Sequence, residues 1–163
     1  MKKYCKSDQK LLVIWAADCA ERVLPLFENK YPEDKRPRQA IEILRNWIKT
    51  GVFQMNEIRG ASLAAHAAAR KVKDDSVACF AARAAGQAAA TAHVSQHAYG
   101  SAYYALKAII TANPTTSEEK VNKEYAWQSR HLHKGLRQEI MNRIIISPNK
   151  KGIVVKINKG DGF

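Results

Sequence analysis

Two histidines four residues apart form the pair of side chains in this sequence whose spacing best suits metal chemistry. His93 and His97 would lie on one face of a helix, where two imidazoles can share one Zn²⁺ ion. A third ligand would come from His66 or Asp18 if the helices that carry them pack alongside. The pair lacks the glutamate of the HExxH arrangement, and two histidines alone are a weak metal signal. We therefore predict no metal and no cofactor, and keep a metal or small-ligand site built on His66, His93 and His97 as an alternative.

The same stretch carries further polar side chains on the face of the histidines. At 100° per residue, Arg83, Gln87 and Tyr104 fall on the side of His93 and His97. Unpaired polar groups in a core cost about 1–3 kcal/mol each, so either the protein's own hydrogen bonds or a bound partner must satisfy them. A variant without metal would use the arginines and histidines to hold a small phosphate or carboxylate. The predicted binding residues are Asp18, Arg22, His66, Arg83, Gln87, His93, His97 and Tyr104.

A long alanine-rich helix is predicted to position this stripe. Residues 75–113 read as one helix, and between residues 76 and 106 the only charged side chain is Arg83. A helix with so little charge is expected to be central and covered on most sides. Its other side is predicted to be core, and 20 of the residues between 61 and 112 are alanine, which favours close helix packing. The core side consists of Ala81, Ala85, Ala88, Ala92, Tyr99, Tyr103, Leu106 and Ile110.

Four more helices are predicted around the central one, which makes the fold class all-α, a single-domain bundle of about five helices. The first spans about residues 9–29 and should break or kink at Pro25. Within it, Asp18 and Arg22 are spaced to form a salt bridge along the helix, or else both point toward the polar stripe. Helices follow at about 38–50, stopped by Gly51, at 56–72, packed antiparallel to the central helix, and from 116 to 144. Residues 1–147 form the bundle in this prediction, and 148–163 form a tail that is either docked or disordered.

Composition favours a cytoplasmic protein without a membrane span. The formal net charge is +12, and it is spread evenly, with +4 in residues 1–50, +3 in 51–113 and +5 in 114–163. Such a diffuse excess is typical of a solvated surface more than of a nucleic-acid groove. The basic N-terminus and the apolar run after it are interrupted by Asp8 and Asp18, which is unlike a signal peptide. Three cysteines without metal-type spacing suit a reducing compartment.

Several ordered segments resemble a family of small helical bacterial immunity proteins. They are AADCAERVLPLFE (16–28), RPRQAIE (36–42), SLAAHAAAR (62–70) and AARAAGQAAATAHVSQHAYGSAYYALKA (81–108). The resemblance covers roughly residues 10–110. It implies an all-helical fold, in agreement with the periodicity, and a role as an antidote to a toxin that bacteria deploy against their own kind. It implies no particular active site.

Three functions therefore compete at this point. The first is an immunity-like protein that binds and neutralises a partner toxin without catalysis, and the sequence favours it. The second is the metal or small-ligand protein, or enzyme, already described. The third is a nucleic-acid-binding protein that uses the basic outer faces of the second and fifth helices and the tail. The sequence contains no nucleotide-binding glycine loop and no nucleophile elbow, so no catalytic residue is predicted. The oligomeric state is left open.

Overall fold

The fold is mostly helical, with one small sheet, in a computed structural model that describes residues 4–160. Within those residues there are seven longer helices and one single turn, so the predicted count of five is wrong although the class is nearly right. Two antiparallel strands follow the helices. The elements are α1 Lys6–Val23, α2 Pro25–Glu28, α3 Arg36–Thr50, α4 Met55–Lys71, α5 Ser76–Thr91, α6 His97–Ala112, α7 Ser117–His131, α8 Lys134–Arg143, β1 Ile144–Asn149 and β2 Gly152–Ile157. Over the described span, no helix has the length and apolar character needed to cross a bilayer.

Pro25 and Gly51 define helix ends as expected, and Asp75 defines a third end. α1 ends at Val23, and the turn α2 begins at Pro25, whose missing N–H costs nothing at that position. α3 ends at Gly51, which adopts a left-handed conformation with φ 73° and donates its N–H to the carbonyl of Trp47. Asp75 caps α5 by accepting from the N–H of Ala78. Residues that cannot continue a helix, or that satisfy its first donors, therefore set these boundaries.

The predicted central helix is wrong, because the chain reverses in its middle. α5 ends at Thr91, residues 92–96 form a turn, and α6 begins at His97. Side-chain contacts pair Gln87 with His97 and Arg83 with Tyr104, as two antiparallel helices require. Alanines occupy most of the buried positions of α5, so the two helices can approach closely. Reversal lets the alanines of α5 pack against α6.

The core lies where α1, α4, α5 and α6 meet. Antiparallel packing of α4 on α5, as predicted, brings Ser62 Oγ to the Gly86 carbonyl at 2.9 Å. Ser101 of α6 donates to the Ala16 carbonyl of α1 at 2.8 Å. The indole N–H of Trp15 donates to the Gln128 carbonyl of α7, also at 2.8 Å. Each of these buried polar side chains is satisfied by backbone across a helix pair, which fixes the packing of the helices around α1.

The predicted fifth helix is also divided, and the chain after it forms a hairpin. Leu132 and His133 separate α7 from α8. β1 then pairs with β2 from Ile144 opposite Ile157 to Asn149 opposite Gly152. β2, which belongs to the predicted tail, thus pairs with a strand that begins at the last residue of the predicted helix, and Val155 is buried, with β2 next to α6. The last residues of the tail, 161–163, and residues 1–3 lie outside the described part of the chain.

Candidate functional site

Five of the eight predicted binding residues come together on α4, α5 and α6. Gln87 and His97 are hydrogen-bonded, and Tyr104 lines the same groove as both. Arg83 lies over the ring of Tyr104, with its guanidinium carbon 5.8 Å from the ring centroid. His66 of α4 lies close enough to Arg83 and His97 for their charges to lower its pKa. We call this group the histidine cluster: His66, Arg83, Gln87, His97 and Tyr104.

The Gln87–His97 hydrogen bond fixes the orientation of the His97 ring. Gln87 Oε1 lies 2.7 Å from His97 Nδ1, and because an amide oxygen only accepts, Nδ1 carries the proton. In the neutral imidazole, Nε2 then has a lone pair and can accept a hydrogen bond. Gly100 makes room for this contact, since a Cβ there would lie 2.5 Å from Gln87 Oε1. The glycine therefore allows the glutamine side chain to cross to the next helix.

The His66 ring lies directly against Gly86 of α5, where a larger residue would clash with it. A Cβ on Gly86 would lie 2.8 Å from His66 Nε2 and 2.9 Å from two ring carbons. The imidazole is therefore pressed against the backbone of α5, beside the hydrogen bond from Ser62 to the Gly86 carbonyl. Its Nδ1 is buried without a hydrogen-bond partner among the described residues. The helix pair α4–α5 thus encloses the ring and leaves one of its polar atoms unsatisfied.

Three histidines in this region have pKa values below the ordinary value. Burial lowers the pKa of His66, and the charges of Arg83 and Arg70 lower it further. Burial likewise lowers the pKa of His93, with a contribution from Arg59, and that of His97, with a contribution from His93. No carboxylate contributes to any of these shifts. The imidazoles are therefore held in the neutral form, in which each has one donor and one acceptor nitrogen.

Aromatic and cationic side chains alternate on the outer face of α5 and α6. Phe80 stacks on Tyr104 with ring centroids 6.1 Å apart, and Tyr103 meets Tyr104 edge-on at 5.2 Å. The Lys107 ammonium lies 4.2 Å from the Phe80 centroid and 5.5 Å from that of Tyr103. Cations at these distances from ring centroids are attracted by the ring quadrupole. The face is consequently basic and aromatic.

A groove of about 600 Å³ lies between this face and the hairpin. Its helical side includes Gln87, His97, Tyr103 and Tyr104, and β2 contributes the opposite wall. The size is within the range of small-molecule sites, and polar groups converge on it from two elements. Because β2 lies opposite the helices, part of the histidine cluster lines a concave surface and not an open helix face. The wall from β2 consists of Val155, Lys156 and Ile157.

Neither of the two alternatives for Asp18 and Arg22 is observed, because they do not pair with each other and their ionic partners lie outside the polar stripe. Asp18 accepts from Arg45 of α3 at 2.5 Å. Arg22 donates through Nε to both carboxylate oxygens of Glu124 on α7, at 3.0 and 2.9 Å. It also lies over the Trp127 ring, 4.0 Å from its centroid. These residues therefore join α1 to α3 and α7.

The metal alternative required His93 and His97 to share one helical face, and that face does not form. His93 lies in the turn after α5, and His97 is the first residue of α6, so the two are not on one continuous helix. Their ring centroids are 5.6 Å apart. Within residues 4–160, no three His, Cys, Asp or Glu side chains are grouped in a way that could hold a metal ion. The histidines of this region are therefore available as hydrogen-bonding groups.

A second surface, which the sequence interpretation did not single out, is apolar and exposed. Of the five large apolar side chains that are exposed in the described chain, four lie between residues 52 and 63. Val52 is 60% exposed and Leu63 is 62% exposed. We call this group the α3–α4 surface: Val52, Phe53, Met55 and Leu63. The signal was present in the sequence, since residues 51–56 carry no charge directly after a helix-ending glycine.

A groove of about 540 Å³ adjoins the α3–α4 surface. Phe53 packs edge-on against Trp47, with ring centroids 5.9 Å apart, and both line the groove. His93 lines it as well, so this histidine lies between the two surfaces. Cations surround the apolar residues, because Lys6 and Lys10 line the groove and exposed Arg59 follows Met55 by one helical turn. The arrangement is an apolar centre with a basic rim.

Comparison with known proteins yields one match. A family model described as "Imm-5 like putative immunity protein" matches residues 2–135. No curated protein and no solved structure matches the chain. The matched region contains the histidine cluster and the α3–α4 surface, whereas the hairpin lies beyond it.

Proposed function

This chain belongs to the Imm-5 like family of immunity proteins, and from that premise we propose that it binds and neutralises a protein toxin. The observation that carries the proposal is the extent of the family match, residues 2–135 of 163. Neutralisation by docking requires a surface for the partner and no catalytic group on this chain. The exposed α3–α4 surface supports that requirement.

The α3–α4 surface has the composition of a protein-binding centre. Phe53 braced on Trp47 gives a rigid aromatic anchor, and Met55 is a flexible apolar side chain that adapts to irregular partners. Phe53 and Met55 line one groove, and exposed apolar groups with a polar rim commonly mark interaction sites. The adjoining groove beside Trp47 can receive an apolar side chain of the partner. We therefore place the toxin on the α3–α4 surface.

Charge around this surface points to an acidic partner. Lys6, Lys10 and Arg59 lie around the apolar residues, and the exposed acid Glu57 lies in the first turn of α4. The whole chain carries a formal +12. Two copies meeting through this surface would bring like charges together, which disfavours self-association. A toxin with carboxylates around an apolar patch would match both features.

The test is co-expression with any toxin domain that is encoded beside the gene for this chain. We expect the chain to restore growth, to co-purify with the toxin domain and to bind it in calorimetry. Leu63→Glu replaces the most exposed of the four apolar residues by a carboxylate and should weaken binding about tenfold or more, as hot-spot changes do. Circular dichroism should be unchanged, because the side chain is exposed.

Ile145→Glu is the matched control. Ile145 is the fifth exposed large apolar residue, 43% exposed, and it lies on β1, away from residues 52–63. This variant should bind the toxin domain as tightly as the wild type does. Equal loss in both variants, or none in Leu63→Glu, would place the toxin elsewhere on the molecule. Absence of binding together with absence of growth rescue would overturn the proposed function itself.

A further inference from the structure

The groove between α6 and the hairpin has features of a small-molecule site that toxin docking does not require. It shares no residue with the α3–α4 surface, and β2 encloses it from the side opposite α6. Lining residues supply amide, imidazole, phenol and ammonium groups within one concavity of about 600 Å³. A few polar groups converging in a concave site are what fixes the orientation of a small ligand.

The charge of the groove favours an anion. Among the described residues that line it, none is an aspartate or glutamate, whereas Lys156 from β2 contributes a cation. Arg83 and Lys107 add positive charge behind Tyr104 and Tyr103, on whose rings they lie. A carboxylate or phosphate placed near Lys156 would meet no repulsive group among these residues, and a charge-assisted hydrogen bond to an ammonium is among the stronger polar contacts.

The other end of the groove is suited to a neutral donor and a planar ring. His97 uses its Nδ1 proton on Gln87, so its Nε2 is left to accept a hydrogen bond from an N–H or O–H group. Tyr103 and Tyr104 present aromatic surface beside it, at 67° to each other. A flat ring can pack against such a pair in stacked or edge-on geometry. The anion site and the ring site lie in the same groove, on opposite walls.

We propose that this groove binds a small anion that combines a planar ring, an N–H or O–H donor on or near the ring, and a carboxylate or phosphate. Lys156 holds the acid group, Tyr103 and Tyr104 contact the ring, and His97 Nε2 accepts from the donor. Nucleoside monophosphates and amino- or hydroxy-substituted aromatic acids share this chemistry. Because the hairpin lies outside residues 2–135, the wall that completes the site is not part of the region the family model matches.

The test is isothermal titration calorimetry of the full chain with three probes: adenosine 5′-monophosphate, 4-aminobenzoate and inorganic phosphate. Binding of the nucleotide or of the aromatic acid, with at least about tenfold weaker binding of phosphate, is the expected result. Which of the two ring anions binds then identifies the ligand class. Failure of both, or phosphate binding of equal strength, would overturn the proposal.

Two lysines of the hairpin form a matched pair for this experiment. Lys156→Ala should weaken binding of the ring anion about tenfold, the usual effect of losing one charge-assisted contact. Lys151→Ala changes an exposed lysine in the hairpin turn that does not line the groove and should have no effect. In nitrogen NMR spectra, the His97 Nε2 resonance should shift on ligand addition. Equal affinities of the two variants would contradict the assignment, and either outcome leaves the toxin experiment unaffected.

Discussion

Gln87 and His97, ten residues apart in the chain, are joined by a 2.7 Å hydrogen bond between the amide Oε1 and the ring Nδ1. On a continuous helix, residues ten positions apart are separated by about 15 Å along the axis and could not meet. The reversal at residues 92–96 brings them together. A polar stripe predicted along one helix has thus become a contact between two antiparallel helices, and that contact orients the imidazole at the groove.

Acidification should destabilise the fold through three half-buried histidines. Folding lowers the pKa of His66, His93 and His97 below the ordinary value of 6.5, chiefly by burial. The unfolded chain therefore binds more protons than the folded one as pH falls below about 6.5, and the free energy of unfolding decreases in that window. Urea unfolding followed at pH 7.5, 6.5 and 5.5 should show falling midpoints.

Two variants identify the source of this pH dependence. His93→Gln should reduce the loss of stability between pH 7.5 and 5.5, because it removes one of the titrating groups. His131→Gln, which alters an exposed residue of α7, should leave the dependence unchanged. A midpoint that stays constant or rises on acidification would contradict the prediction.

Gly86→Ala should destabilise the protein even though alanine is the better helix former. The added Cβ would lie 2.8 Å from His66 Nε2, so the ring must move out of a packed interface. Overpacking of this kind costs about 1–3 kcal/mol, against a gain of roughly 1 kcal/mol in helix propensity. Thermal or urea unfolding of the variant would measure the net loss.

A double-variant cycle separates this clash from other effects. In a His66→Ala background, Gly86→Ala should be neutral or stabilising, because the ring that it strikes is gone. Gly60→Ala, at a helical glycine with open space around it, should stabilise by about 0.5–1 kcal/mol. If Gly86→Ala destabilised equally with and without the His66 ring, the proposed contact would not be the cause.

Arg22→Ala should destabilise the protein more than Arg45→Ala does. Removal of Arg22 leaves the carboxylate of Glu124, a residue only 4% exposed, without its partner and uncovers Trp127, which we expect to cost about 1–3 kcal/mol. Arg45 pairs with Asp18 and Glu21, which are about a third exposed and remain solvated, so its loss should cost about 1 kcal/mol or less. Denaturant unfolding of both variants gives the comparison.

Adding Glu124→Gln to Arg22→Ala should recover part of the lost stability, since it removes the uncompensated charge. Equal costs for Arg22→Ala and Arg45→Ala would show that burial of Glu124 contributes little.

Association with the toxin should be fast at low salt and slower at high salt. Lys6, Lys10 and Arg59 surround the proposed docking surface and would steer an acidic partner toward it. Lys10→Glu should lower the association rate several-fold in stopped-flow measurements and change the dissociation rate little. Lys134→Glu alters the charge equally on α8 and should have a smaller effect. Association rates that do not respond to salt would exclude steering by this rim.

Local sequence signals predicted a substantial part of the fold. Pro25, Gly51 and Asp75 define helix ends through backbone chemistry that depends on no distant residue. The helical class and the antiparallel packing of α4 on α5 also followed from periodicity and from the abundance of alanine. The hairpin was missed because its two short strands become stable by pairing with each other and by burying Val155, neither of which is visible in one strand alone.

For the site, the residue types were visible in the sequence and their partners were not. Arg83, Gln87, His97 and Tyr104 were singled out as polar groups in an uncharged stretch, and they do lie together. Asp18 and Arg22 were assigned to the same group. In the structure they form ion pairs with Arg45 and Glu124, which are distant in sequence. Periodicity gives the face of a helix on which a side chain lies, and only the packing of other helices decides what it meets there.

The chain reversal at residues 92–96 is the clearest case of a feature that the tertiary structure alone decides. Nothing in AHVSQ is a strong helix breaker, and alanine on both sides favours continuation. The sequence by itself favours helix throughout residues 76–112, with small residues on one side and polar residues on the other. The fold divides them because two short antiparallel helices bury alanine surface against each other, and that gain exceeds the loss of a few helical hydrogen bonds in the turn.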